Sequence, residues 1–116
     1  MSYTIVETPE FIARSKSILD EEEKKELIDY LADYPDAGDL MPGTGGARKL
    51  RWSRPGMGKR GGSRVIYFYF DEYTPLFLLS IFSKNQKIDL SEQEKNELKV
   101  ILKKLVDNYK TGGKNE

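Results

Sequence analysis

Three consecutive strand-like segments constrain the fold of this 116-residue chain more than any other feature. They occupy residues 47–53, 63–70 and 75–84. The second and third are apolar or aromatic on both faces, as expected of strands inside a sheet. The first alternates between apolar and basic residues, which predicts a strand with one face on a core and the other face charged.

Helical segments flank these strands on both sides. After a short strand near the N-terminus, Pro9 stands in a helix-opening position. Asp20 is a preferred N-cap residue with Glu23 three residues later, and it begins a second helix. Ser91 and Glu94 form a capping box for a C-terminal helix. Its expected buried stripe consists of Leu98, Ile101, Leu102, Leu105 and Tyr109.

The resulting order β-α-α-β-β-β-α predicts an α+β domain in which two N-terminal helices and one C-terminal helix pack on a small antiparallel sheet. The length fits one domain with one core, which we assign to residues 1–110. Residues 111–116 are expected to form a flexible C-terminal tail. The chain has no long apolar run and no apolar signal-peptide core, so no membrane partner is expected and the cytoplasm is the predicted location.

Charge is strongly segregated although the formal net charge is zero. Residues 1–39 contain eleven acids and four bases, whereas residues 40–70 contain seven bases and no acid. The acidic run that opens the second helix is expected to be a solvated face, because consecutive acids splay around a helix axis. A clustered basic surface sets up a local field whatever the total charge is. The basic segment is therefore a candidate for binding a polyanion.

The strand order brings four cations toward one end or face of the predicted sheet. Lys49 and Arg51 share a strand face, Arg64 lies at the start of the next strand, and Lys84 ends the third. Basic groups beside tyrosines suit single-stranded nucleic acid, because cations bind phosphates and rings stack on unpaired bases. The expected RNA-binding residues around the four cations are Arg48, Lys59, Arg60, Tyr67 and Lys87. The alternative is a basic sheet face that serves solubility, with the tyrosines in the core.

The residue types limit the chemistry that this site can perform. The chain has neither histidine nor cysteine, which removes the commonest general base, thiol nucleophiles and the commonest metal ligands. RNA carries its own nucleophile in the 2′-OH, so metal-independent cleavage needs a base, a proton donor and a stabiliser of the phosphorane. Arginine stays protonated, so a lysine with a lowered pKa would be the base and Arg64 the stabiliser. No cofactor is expected.

Three motifs in fixed order carry a resemblance to a known family. They are "PGTGGARKLRW", "GKRGGSRVIYFYF" and "LLSIFSKNQKIDLS". Together they resemble the HigB-type branch of the RelE/ParE toxin superfamily over nearly the whole chain. The resemblance implies a RelE-like fold. It also places Lys49, Arg51, Arg64 and Lys84 at catalytic basic positions and Lys59 in a branch-specific basic loop.

The same resemblance implies the toxin of a bacterial type II toxin–antitoxin system. Such a toxin is a ribosome-dependent mRNA endoribonuclease that inhibits translation, and its partners are the ribosome, mRNA and a cognate antitoxin of the DNA-binding helix-turn-helix type. Two alternatives stay open at this point. One is a gyrase-directed, ParE-like toxin, and the other is a non-catalytic RNA-binding module.

Overall fold

The computed structural model describes residues 4–53, 62–84, 86 and 89–115, with side chains as far as residue 108. Within these residues the chain forms three helices and five strands. In chain order they are β1 (Ile5–Glu7), α1 (Pro9–Ser15), α2 (Glu21–Asp33), β2 (Asp39–Leu40), β3 (Ala47–Trp52), β4 (Ser63–Phe68), β5 (Leu76–Ser83) and α3 (Glu92–Asn115). The predicted α+β class is confirmed.

The strands form one sheet in the order β1-β5-β4-β3-β2. The pairs β2–β3, β3–β4 and β4–β5 are antiparallel, as the sequence predicts. The prediction of an antiparallel sheet is wrong at one edge, because β1 runs parallel to β5. The reason is that the chain crosses the sheet through α1 and α2 after β1. Thr8 secures this edge by donating from its backbone N–H (3.1 Å) and from Oγ1 (2.8 Å) to the carbonyl of Leu78.

A short strand was not predicted. Residues 39–40 lie in a stretch whose proline and glycine content indicates a loop, yet they form β2 and pair with β3. Asp39 is registered opposite Lys49, and Leu40 opposite Arg48. Both residues of β2 are exposed, so the pattern carried no burial signal for a strand.

The face of the sheet that α1 and α2 cover holds the first core cluster. Phe11 of α1 and Leu27 and Leu31 of α2 pack there with Val65 and Tyr67 of β4. Local caps position the second helix. The Asp20 carboxylate accepts from the Glu23 N–H at 2.7 Å while the Glu23 carboxylate accepts from the Asp20 N–H at 2.9 Å, so the predicted N-terminus is confirmed.

The opposite face packs on α3. Leu102 of α3 is fully buried with Ile66, Phe68 and Phe82 in a second core cluster. The predicted stripe of α3 is wrong at Ile101, which is 49% exposed. Tyr109, the last residue of that stripe, lies outside the described side chains. Helical backbone continues to Asn115, and the flexibility of residues 111–116 stays a prediction. Among the described helices none combines the length and apolar character needed to cross a bilayer.

Candidate functional site

Three of the predicted cations meet on the α3 face of the sheet. Arg51 of β3 is registered directly opposite Arg64 of β4, and Lys49 lies two residues along β3, opposite Ile66. Registered partners in an antiparallel pair project from the same face, so the three side chains share it. They line a recess of about 430 Å³, hereafter the basic recess, together with Ala37, Asp39 and Leu50.

The alternating pattern of β3 produces this arrangement. Its apolar residues Leu50 and Trp52 pack on the α1/α2 cluster, which forces Lys49 and Arg51 to the other face. Lys49 and Arg64 are half-buried and Arg51 is exposed. Cations that are partly withdrawn from water at the wall of a concave surface attract a phosphate more strongly than freely solvated ones.

A carboxylate outside the predicted site pairs with Lys49 of the recess. Asp89 precedes α3, and its Oδ2 lies 3.2 Å from Nζ of Lys49. Its other oxygen, Oδ1, accepts from the backbone N–H of Leu90 at 2.7 Å. Partial burial alone would raise the pKa of Asp89, but the hydrogen bonds from Leu90 and Lys49 outweigh it, and the pKa lies below its ordinary value. The only sequence signal for this residue is its place just before the capping box of α3.

Lys84, the fourth predicted catalytic cation, lies at the same end of the sheet. It directly follows β5 and is exposed. The last residue of β5, Ser83, is registered with Ser63, the neighbour of Arg64. Lys84 lies one residue beyond the Ser83–Ser63 pair and is not among the residues that line the recess. The recess is lined from β2, β3, β4 and the residues that precede β2.

Arg48 does not join the basic recess. It projects from the α1/α2 face of β3, where its Nη1 donates to the carbonyl of Gly38 at 2.7 Å and to that of Asp36 at 3.3 Å. The side chain holds the segment between α2 and β2 against the sheet. Its position corrects the prediction of Arg48 as an RNA-binding residue beside the four cations, because adjacent residues of a strand point to opposite faces and the Arg48 guanidinium bonds the loop instead.

The predicted stacking role of Tyr67 is wrong. Its side chain is fully buried in the α1/α2 cluster, so no base can reach the ring. The hydroxyl accepts from the backbone N–H of Gly38 at 2.7 Å. Burial raises the pKa of Tyr67, and the Gly38 hydrogen bond opposes this only in part. The alternative interpretation of a core tyrosine therefore holds at this position.

Three further predicted RNA-binding residues, Lys59, Arg60 and Lys87, lie outside the described residues. Across the ranges that the structure describes, no group of three or more His, Cys, Asp or Glu side chains is placed to hold a metal ion. The described side chains at the recess offer one ammonium and two guanidinium groups, the Asp39 carboxylate, and the Asp89 carboxylate paired with Lys49. This set can bind a phosphodiester, stabilise added negative charge and, through lysine, exchange a proton.

Comparison with known proteins identifies a toxin family and a solved structure of similar fold. A family model described as the RelE toxin of the RelE/RelB toxin–antitoxin system matches residues 9–112. A solved structure of a mutant of the E. coli toxin RelE in the free state is similar to this chain with a TM-score of 0.54 and 17% sequence identity. The similarity covers 75% of this chain and 88% of that chain. At this identity the structural match shows a shared fold, which confirms the predicted RelE-like architecture.

Proposed function

This chain belongs to the RelE family of toxins from toxin–antitoxin systems, and on that premise we propose that it inhibits translation by cleaving mRNA on the ribosome. Endoribonuclease activity is known among toxins of this family. The motifs that surround Lys49, Lys59 and Arg64 support membership in the HigB-type branch. Its partner in the cytoplasm is a cognate antitoxin of the helix-turn-helix type.

One observation supports this function above all others. Arg51 and Arg64 are direct cross-strand partners, and Lys49 lines the same recess. A phosphodiester between them is attracted by both positive charges, and the planar guanidinium groups match its oxygens in pairs. The arrangement is suited to a group that carries negative charge and gains more of it during reaction.

The proposed reaction is a metal-independent transphosphorylation. A base takes the proton of the 2′-OH, the 2′ oxygen attacks phosphorus, and the bond to the 5′ oxygen breaks as that oxygen takes up a proton. The products are a 2′,3′-cyclic phosphate and a 5′-hydroxyl end. Arg51 and Arg64 stabilise the phosphorane. Lys49 and Lys84 are the members of the predicted catalytic set that can exchange protons, because arginine stays protonated.

Dependence on the ribosome follows from the weakness of this chemistry. A site without histidine has no group whose ordinary pKa lies near neutrality, so proton transfer contributes little on free RNA. Holding the 2′-OH in line with the scissile bond lowers the barrier by several kcal/mol, roughly 7–11 in the best intramolecular cases. The decoding site of a translating ribosome fixes mRNA in one conformation, and this proposal relies on the ribosome for that positioning.

The test is cleavage mapping in a reconstituted translation reaction. We expect cuts within codons, 5′-hydroxyl ends at those cuts, and no cleavage when the ribosomes are omitted. Labelling of the fragments with a polynucleotide kinase identifies the ends, because a 5′-hydroxyl is labelled directly and a 5′-phosphate only after phosphatase treatment. Cuts that carry 5′-phosphates would contradict the proposed chemistry.

Other outcomes point to the remaining functions. Intact mRNA with continuing translation, together with inhibition of purified gyrase, would replace the proposal with a gyrase-directed toxin. Stalled translation over intact mRNA would identify a non-catalytic RNA-binding module.

A further inference from the structure

We propose that Asp89 is a positioning residue that holds the ammonium group of Lys49 at the basic recess, a role that rests on the proposed ribonuclease function. Nothing in the charge pattern of the strands leads to this residue, because residues 40–70 contain no acid. The contact exists because the segment before α3 reaches across to β3 and brings a carboxylate within 3.2 Å of Lys49.

The Asp89 carboxylate is itself held in place. Oδ1 accepts from the Leu90 N–H at 2.7 Å, which leaves Oδ2 directed at Lys49. The backbone that follows is fixed by the capping box of α3, in which Ser91 N–H donates to Glu94 at 2.8 Å and Glu94 N–H donates to Ser91 Oγ at 3.1 Å. The carboxylate is thus anchored to a helix start, whereas lysine has a long flexible side chain that needs a partner to adopt one geometry.

The ion pair leaves Lys49 able to act on a substrate. An ammonium group has three N–H donors, and one of them is directed at Asp89 Oδ2. The Lys49 side chain is still 28% exposed, and it lines the recess with Asp39, Arg51 and Arg64. The remaining donors can therefore meet a phosphate oxygen or the leaving 5′ oxygen. Asp89 thus orients the group that acts on the substrate without contacting the substrate itself.

A purely electrostatic role for Asp89 predicts a different effect of its removal on RNA binding and on the cleavage rate. A carboxylate beside a phosphate-binding recess repels RNA, so its removal would strengthen binding and would not slow the chemical step. A merely structural role would lower stability and leave the maximal rate per folded molecule unchanged. Positioning alone predicts that the maximal rate falls while binding is kept or improved.

The experiment measures single-turnover mRNA cleavage on programmed ribosomes at increasing toxin concentration. We expect Asp89→Asn, which keeps the shape and can still accept from Leu90, to lower the maximal rate about tenfold. The half-saturating concentration should stay the same or fall. Asp89→Glu, which restores the charge, should recover part of the rate. Asp107→Asn is the matched control, because Asp107 forms an exposed pair with Lys103 on α3 at 3.3 Å, and it should cleave like the wild type.

Coupling to Lys49 is tested with Lys49→Met, which retains an apolar stem, and with the double variant. If Asp89 acts through Lys49, Asp89→Asn slows the Lys49→Met enzyme no further. A wild-type maximal rate in Asp89→Asn, or an equal additional loss in the double variant, would overturn the proposal.

A ¹³C NMR titration of the Asp89 carboxyl separates this proposal from the ribonuclease function. The pKa of Asp89 should rise in Lys49→Met relative to the wild type, whatever the toxin does to mRNA. An unchanged pKa would show that the two groups are not paired and would overturn the positioning role. Intact mRNA with the wild-type toxin would overturn the ribonuclease function instead, while the titration still reports on the contact.

Discussion

Arg48 and Lys49 are neighbours on β3, and the two faces of that strand give them different surroundings. Arg48 lies on the α1/α2 face and donates to the backbone carbonyls of Gly38 and Asp36. Lys49 lies on the α3 face, where it lines the basic recess and contacts Asp89. One cation completes the packing of a loop, and the other is accessible to a ligand.

Tyr67 and Arg64 of β4 repeat this division. Tyr67 is fully buried on the α1/α2 face and accepts from Gly38, whereas Arg64 is half-buried on the α3 face opposite Arg51. A strand that is rich in aromatic and basic residues can therefore serve two purposes at once. The face on which a residue lies determines whether it stabilises the fold or contributes to the candidate site.

The largest expected effect is on the buried face. Tyr67→Ala removes a fully buried ring and should lower the free energy of unfolding by about 4 kcal/mol. Tyr67→Phe keeps the ring but leaves the Gly38 N–H without its acceptor, at a cost of about 1.5 kcal/mol. Urea unfolding followed by circular dichroism measures both. Equal stability of Tyr67→Phe and the wild type would show that the hydroxyl hydrogen bond does not contribute to this face.

Gly38 tests how closely the loop approaches that face. A Cβ at this position would lie 2.9 Å from Cε1 of Tyr67 and 3.0 Å from the carbonyl oxygen of Lys49. Gly38→Ala should therefore destabilise the protein by about 2 kcal/mol, because neither neighbour can move freely. Gly43→Ala is a useful contrast, since nothing lies within 4 Å of its Cβ and any loss there reflects only its positive φ of 82°. A larger loss at Gly43 than at Gly38 would contradict close packing of the loop.

A substitution of Arg48 tests whether Arg48 and Lys49, which are adjacent on β3, have different roles. Arg48→Met keeps the apolar stem and removes the guanidinium bonds to the loop carbonyls. We expect a loss of stability of about 1.5 kcal/mol. The maximal cleavage rate on programmed ribosomes should be retained at a temperature where the variant is folded. Loss of cleavage with unchanged stability would place Arg48 with the substrate and break the division between the faces.

The smallest expected effect is the pH dependence that the Asp89–Lys49 pair gives to the free energy of unfolding. The pKa of Asp89 is lowered in the folded state, so its contribution to stability is present above the ordinary pKa of 3.8 and is lost as the pH falls through the lower folded value. The pair is partly exposed, and its contribution should be less than about 1 kcal/mol. Urea unfolding of wild type and Asp89→Asn near neutral pH and at steps below pH about 4 measures it. A stability difference that grows on acidification would contradict the ion pair.

The sequence predicted the features that depend on local pattern. Alternation in β3 correctly assigned Leu50 and Trp52 to one face and Lys49 and Arg51 to the other, and Asp20 with Glu23 correctly marked the start of α2. These follow from periodicity and capping, which act over a few residues.

Features that depend on contacts distant in sequence could not be predicted in the same way. The pairing of β1 with β5 joins segments about 70 residues apart, and no pattern within either one states its direction. The sequence predicts RNA stacking for Tyr67, three residues after Arg64, because a tyrosine near an arginine gives the same pattern whether or not a helix covers it. No local pattern indicates the role of Asp89, because its partner Lys49 lies 40 residues earlier in the chain.

The most direct test of the central claim is the cleavage rate of Arg64→Ala on programmed ribosomes, beside Arg14→Ala. Arg14 forms an exposed pair with Glu10 on α1 at 3.3 Å, and it controls for loss of one guanidinium group. Removal of a group that stabilises the phosphorane should slow single-turnover cleavage by about 100–1,000-fold without loss of folding, while Arg14→Ala cleaves like the wild type. Wild-type cleavage by folded Arg64→Ala would show that the basic recess is not the site of reaction.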